Sequence, residues 1–152
     1  MPALTELAGQ DLGTQRVEIE RGPVRVFAAA VTDANPAYRA DTAPVPPTFP
    51  FVMSYWGSLG QGGAAGLPIE KLRGPGRMLL HGEQEFEYHR WPCAGDVLEG
   101  STRVSDVYEK AGGSGSMEFY VTETEWRDTS GEPVVTSRFT LIVRVRKQDG
   151  QE

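Results

Sequence analysis

The sequence predicts an α+β domain in which an antiparallel sheet wraps around one central apolar helix. Three observations carry this. Four long segments in the C-terminal half alternate in polarity with the two-residue period of a strand. Runs rich in Gly, Pro, Asp and Ser separate each of them from the next. Ahead of them lies a single segment, residues 51–59, that is apolar on most sides and is followed by a Gly-rich stretch. At 152 residues the chain fits one domain, long enough to bury a core without disulfides or metals.

The elements follow in order. Residues 1–16 are mixed, and Gly9 and Gly13 break any helix there. Val17 and Ile19 alternate with Glu18 and Glu20, which predicts a short strand. Val24, Phe27, Ala28 and Val31 recur at helical spacing behind Gly22 and Pro23, so residues 23–31 read as an amphipathic helix with proline near its first turn. Residues 33–49 hold Pro36, Pro44, Pro46 and Pro47, which excludes a helix or a central strand. Residues 51–59 suit a helix buried against the concave face of a sheet. Residues 61–66 end it as a flexible exit, and residues 67–77 read as a mobile connection. Strands are then expected at 82–89, 97–109, 117–126 and 134–146. In the third of these Met117, Phe119 and Val121 share a side; in the last, Phe139, Leu141, Val143 and Val145 do. A polar tail closes the chain. A sheet curled around one apolar helix is the hot-dog arrangement, although pattern alone leaves other α+β layouts open.

Composition narrows the function classes. The formal charge of −6 argues against nucleic acid and anionic membrane as general partners. Lys71, Arg73 and Arg77 form one basic cluster, either a dock for a phosphate or a solvated surface. The single cysteine, Cys93, allows no intrachain disulfide and reads as packing. No apolar run is long enough to span a membrane and no leader pattern opens the chain, so a cytoplasmic location is expected. The two histidines, His81 and His89, lie eight apart on one predicted strand and by parity share a face. Without a Cys or carboxylate set they do not suggest a metal. No metal and no cofactor is expected. Glu83, Glu85 and Glu87 read as a solvated or subunit-facing row.

Two segments carry a resemblance. One contains Phe27, then Asp33-Ala34-Asn35-Pro36-Ala37-Tyr38; the other runs from Leu80-His81-Gly82-Glu83-Gln84 through Arg90 to Gly95-Asp96-Val97. With Pro46-Pro47-Thr48-Phe49-Pro50 between them, they resemble the MaoC-like (R)-specific enoyl hydratase/dehydratase group, and within it the FAS1-like dehydratase N-terminal type that lacks the catalytic histidine. The resemblance implies a hot-dog fold that pairs as a double hot dog. It implies partners of two kinds: an acyl-CoA or acyl-ACP thioester, and a catalytic MaoC-like subunit or a second copy of the chain. The implied reaction is reversible loss of water from a (3R)-3-hydroxyacyl thioester.

That chemistry needs a base for the α-proton, an acid for the departing hydroxyl and a donor for the thioester oxygen. In the family pattern Asp-x-Asn-Pro-x-His, the Asp and His hold the water between them, and backbone N–H groups at the start of the central helix face the carbonyl. Here Asp33 and Asn35 match, but Tyr38 stands at the histidine position. A phenol titrating at about 10 does not replace an imidazole at about 6.5 as a base at neutral pH. This matches the non-catalytic half of such pairs. Asp33, with His81 as a substitute base, are the catalytic candidates. Asn35, Tyr38, Pro47, Thr48, Phe49, Tyr55, Trp56, Gly82 and Gln84 are the substrate-binding candidates. Asp33 and Asn35 also suit plain turn residues, Tyr38 a packing residue, and Tyr55 and Trp56 core or tunnel wall. A self-sufficient homodimeric hydratase and an acyl-thioester binding protein without chemistry are the alternatives. A hot-dog thioesterase fits less well: it needs a carboxylate on the central helix, and residues 51–66 contain no Asp or Glu.

Overall fold

The alternating segments form a five-stranded sheet, all of whose pairings are antiparallel, in the order β1-β3-β4-β5-β2. The computed structural model describes residues 4–56, 66–113 and 115–146, apart from the side chains of Leu4, Thr5 and Trp56. The strands are β1 (Asp11–Glu18), β2 (Arg77–Tyr88), β3 (Val97–Gly112), β4 (Gly115–Arg127) and β5 (Pro133–Arg146). The helices are α1 (Arg21–Ala30), α2 (Pro50–Trp56) and the single turn α3 (Ile69–Leu72), with 3-10 turns at Leu4–Leu7 and Pro36–Arg39. The expected end of the central helix, its Gly-rich exit at 61–66 except Gly66, and the polar tail lie outside the described residues.

Several boundaries differ from the sequence reading. β1 starts at Asp11 because Gly13, at φ 95°, sits in a bulge where its N–H donates to Asp11 Oδ1 at 2.7 Å. β2 starts at Arg77, well before the expected residue 82. The connection before it is held down: Leu67 and Leu72 are buried, each worth about 2 kcal/mol of apolar burial. On α1, Val24 and Ala28 are buried, whereas Val31 caps the helix and is exposed.

β2 and β3 each carry one extra residue, Gly82 and Ser105, and both bulges flank the same cross-strand row, Val121–Thr140. Aligned bulges bend a sheet. The concave side so formed holds two apolar clusters. One, under α1 and α2, contains Val24, Phe49, Met53, Trp126 and Val135. The other contains Leu7, Leu72, Val104, Tyr120 and Val143. On β4 the inward residues are Tyr120, Thr122, Thr124 and Trp126, all buried, so Met117, Phe119 and Val121 line the outer side. α2 is buried on one face only: Met53 is inaccessible and Tyr55 exposed.

Arg77 is not part of a basic surface cluster. Its Nε donates to Leu72 O at 2.8 Å, and its two terminal nitrogens grip Glu118, which also accepts from Tyr120 Oη at 2.6 Å. The side chains of the pair are only 8% and 11% exposed. Burial pushes the Glu118 carboxyl up, but the Arg77 and Tyr120 hydrogen bonds outweigh it and hold the group below the usual carboxylate range. A carboxylate whose folded pKa is depressed adds stability above its unfolded value of about 4.3, and that stability is lost as pH falls through the folded value. Arg77→Met is therefore expected to cost about 3 kcal/mol in urea unfolding at pH 7. The deficit should shrink below about pH 4, where Glu118 of the variant is protonated.

Candidate functional site

The Asp33 segment is built by consecutive caps. α1 ends with Asp33 N donating to Ala28 O at 2.9 Å and Thr32 N to Ala29 O at 3.1 Å, the two bonds of a Schellman stop. The stop requires a left-handed residue, and here it is Thr32, at φ 58°. Asn35 then caps the 3-10 turn, its Oδ1 accepting from Ala37 N at 3.0 Å, and Pro36 supplies the preset first position. Asp33 is held between these elements. Its Oδ1 accepts from Asn35 N at 3.1 Å and its Oδ2 from Tyr38 Oη at 2.8 Å. Tyr38 is buried, and burial, reinforced by the Asp33 carboxylate, pushes its phenol above the ordinary value. The phenol therefore stays protonated at neutral pH and donates to Asp33. The pair forms one wall of an open hollow of about 400 Å³ that also includes Arg25, Thr32, Asn35 and Arg39.

The proline segment fixes the entry to α2. Phe49 is buried edge-on against Phe27, with ring centroids 5.5 Å apart, so it is a core residue. Pro47 and Thr48 are exposed, and Pro47 O accepts from Tyr88 Oη at 2.5 Å. Phe51 N donates to Thr48 O at 3.2 Å and Val52 N to Phe49 O at 2.9 Å. Pro50 has no N–H. The first three residues of α2 thus present no spare donor to a thioester carbonyl, unlike the arrangement that the resemblance implies.

A second, smaller opening lies between α2 and the sheet. It is a slot of about 30 Å³, with Phe51 and Tyr55 on the helix side and Gln84, Thr122, Ser137 and Phe139 among the sheet residues. Gln84 is anchored by Nε2 donating to Arg138 O at 3.1 Å. His81 packs next to it, its ring 5.6 Å from Phe51 and edge-on to Phe139 at 4.7 Å. Gly82 is the bulge residue itself: a Cβ there would stand 2.7 Å from the Ile142 side chain.

The bulge also overturns the parity argument for the histidines. His81 faces inward beside Phe139, whereas His89 bonds Thr136 at 2.9 Å on the opposite face. Asp33 lines the hollow at the end of α1, and His81 lines neither that hollow nor the slot under α2. The side chain of Trp56 lies outside the described residues. Glu85 and Glu87 are paired with Arg138 on the outer face, leaving Lys71 and Arg73 as the exposed part of the expected basic cluster. Arg25, Thr32, Arg39, Thr122, Thr124 and Ser137 were not legible as site residues. Only the Thr122–Thr124 spacing hinted at a shared face. Among the described residues, no group of three or more His, Cys, Asp or Glu is placed to hold a metal, and no helix is long and apolar enough to cross a membrane.

Comparison with known proteins agrees with this architecture. Residues 6–137 match the family model for the FAS1-like dehydratase domain region. A UPF0336 protein of Thermobifida fusca is 35% identical over 137 residues, covering 84% of each chain. The fold is similar to that of the C-terminally truncated HadBC (3R-hydroxyacyl-ACP dehydratase) complex of Mycobacterium tuberculosis, with a TM-score of 0.70 at 21% identity over 92% of this chain and 99% of that one. It is also similar to the ChsH1-ChsH2 complex of the same organism, with a TM-score of 0.68 at 17% identity over 96% and 91% of the two chains. The fold is therefore the hot dog expected from the sequence.

A β-branched residue at a left-handed position is strained by about 1 kcal/mol, and glycine relieves it. Thr32→Gly is expected to raise the melting temperature by about 3 °C in a thermal scan. An unchanged or lower melting temperature would show that the threonine side chain stabilises the cap by other contacts.

Proposed function

Because the chain belongs to the FAS1-like dehydratase domain-region family, we propose that it is the non-catalytic, substrate-binding half of a (3R)-3-hydroxyacyl-thioester dehydratase, acting in reverse as an (R)-specific enoyl-thioester hydratase. One observation carries this reading: at the position where the family pattern has histidine, the Tyr38 phenol donates to Asp33 at 2.8 Å and is biased further toward its protonated form. Dehydration removes a proton from Cα while the Cβ–O bond breaks and the hydroxyl leaves as water. A protonated phenol bonded to the carboxylate accepts no α-proton, and it occupies the oxygen that would hold the water. The closed donors at the start of α2 point the same way.

The missing groups would come from a second hot dog. Among the described residues β2 is an edge strand, paired with β5 alone, and it runs for twelve residues without a proline. Met78 and Leu80 are exposed along it. A long edge with apolar side chains favours pairing with another strand. The partner is a catalytic MaoC-like subunit, and the shared ligand is an acyl group carried as a thioester on coenzyme A or acyl carrier protein.

Hydration of crotonyl-CoA tests the proposal, with the chain assayed alone and then mixed with a catalytic hot-dog subunit encoded beside it. The chain alone is expected to turn over at less than about a hundredth of the mixture's rate, the loss typical of a missing acid/base group. Comparable activity from the chain alone, abolished by Asp33→Ala or His81→Ala, would instead establish a self-sufficient homodimer. Thioester binding without turnover in either case would establish a binding protein.

A further inference from the structure

The inner face of the sheet is interrupted by hydroxyls. Between its two apolar clusters the inward positions are Thr102 on β3, Thr122 and Thr124 on β4 and Ser137 on β5, with Thr102, Thr124 and Ser137 in one cross-strand row. Thr102 and Thr124 bond each other at 2.8 Å. Thr122 is 1% exposed, and neither its Oγ1 nor Ser137 Oγ has a hydrogen-bond partner among the described residues.

Both unpartnered hydroxyls line the slot under α2. A buried hydroxyl that gives up its bonds to water and gains none weakens the fold, and valine or alanine would fill the same space without that cost. Two such groups converging on one opening are accounted for by an occupant that brings an oxygen to them. The slot holds about 30 Å³ and is bordered by Tyr55, itself 39% exposed, so it is reachable from outside. That volume fits one small polar group rather than a hydrocarbon chain. A plain alkyl tail entering here would leave both hydroxyls unsatisfied.

We infer that Thr122 and Ser137 are specificity-determining residues that select an acyl group bearing a hydroxyl or keto oxygen on its tail. The inference deepens the thioester-binding reading above and rests on it. A keto oxygen accepts from both side chains. A hydroxyl accepts from one and donates to the other. An ordered water bridging the two is the competing occupant.

Calorimetric binding of hexanoyl-CoA and 5-oxohexanoyl-CoA to the full chain, paired with its catalytic hot-dog subunit, tests this. The oxo form is expected to bind about tenfold more tightly. The preference should vanish in Thr122→Val and Ser137→Ala, singly or together, and survive in Thr122→Ser, which keeps the hydroxyl. The melting temperature of unliganded Thr122→Val should hold or rise, since the variant removes an unsatisfied group. Equal binding of the two thioesters, or a preference untouched by the valine and alanine variants, overturns the inference and leaves the thioester-binding reading standing. A crystal structure with the oxo tail elsewhere and water in the slot does the same. Failure of both thioesters to bind overturns both.

Discussion

The bend of the sheet at the Val121–Thr140 row is the constraint on which the rest depends. β4 and β5 run straight through it, while β2 and β3 each insert one residue beside it. The extra residue reverses the inside and outside of everything beyond it. In β2 it turns Gln84, Phe86 and Tyr88 inward and sends Glu85 and Glu87 out to Arg138. It also leaves His81 against Phe51 and Phe139. A Cβ at Gly82 would stand 2.7 Å from the Ile142 side chain and force it to shift. The same bend makes the concave face that α2 covers.

The Asp33 segment answers to a different, local constraint. Three successive stops, at Thr32, Asn35 and Pro36, turn the chain within a few residues and supply both donors to the carboxylate. This geometry suits a wall better than a base. A carboxylate gripped by a backbone N–H and a protonated phenol is well placed to hold its loop in shape, and the hollow beside it is shaped accordingly. An imidazole at the phenol's place would exchange protons near neutral pH, which the phenol does not.

The concave face itself combines apolar packing with a polar belt. Apolar clusters at either end supply the burial energy, and Arg77 with Glu118 and Tyr120 closes one of them with a fully bonded polar network. The hydroxyl belt between them adds no apolar burial. Its two unsatisfied members sit beneath α2. Apolar burial is thus concentrated at the ends of the sheet and unsatisfied polarity in its middle.

Much of this was legible from residue order. Period-two alternation located all four long C-terminal strands, the apolar segment located α2, and the Asp33, Pro46–Pro50 and Leu80–Gln84 segments pointed to the family. The substitution of Tyr38 for histidine was visible before any coordinates, because a change of functional group needs no geometry to be recognised. What the sequence could not carry was any property that depends on counting across a bulge. The shared face assigned to His81 and His89 assumed an unbroken register, and the burial of Arg77 depended on Glu118, forty-one residues further along the chain. Gly82 breaks that register, and nothing in one strand's own sequence reveals the neighbour against which it is shifted. Residue chemistry was fixed by the chain; which face each residue occupies was decided only when the strands paired.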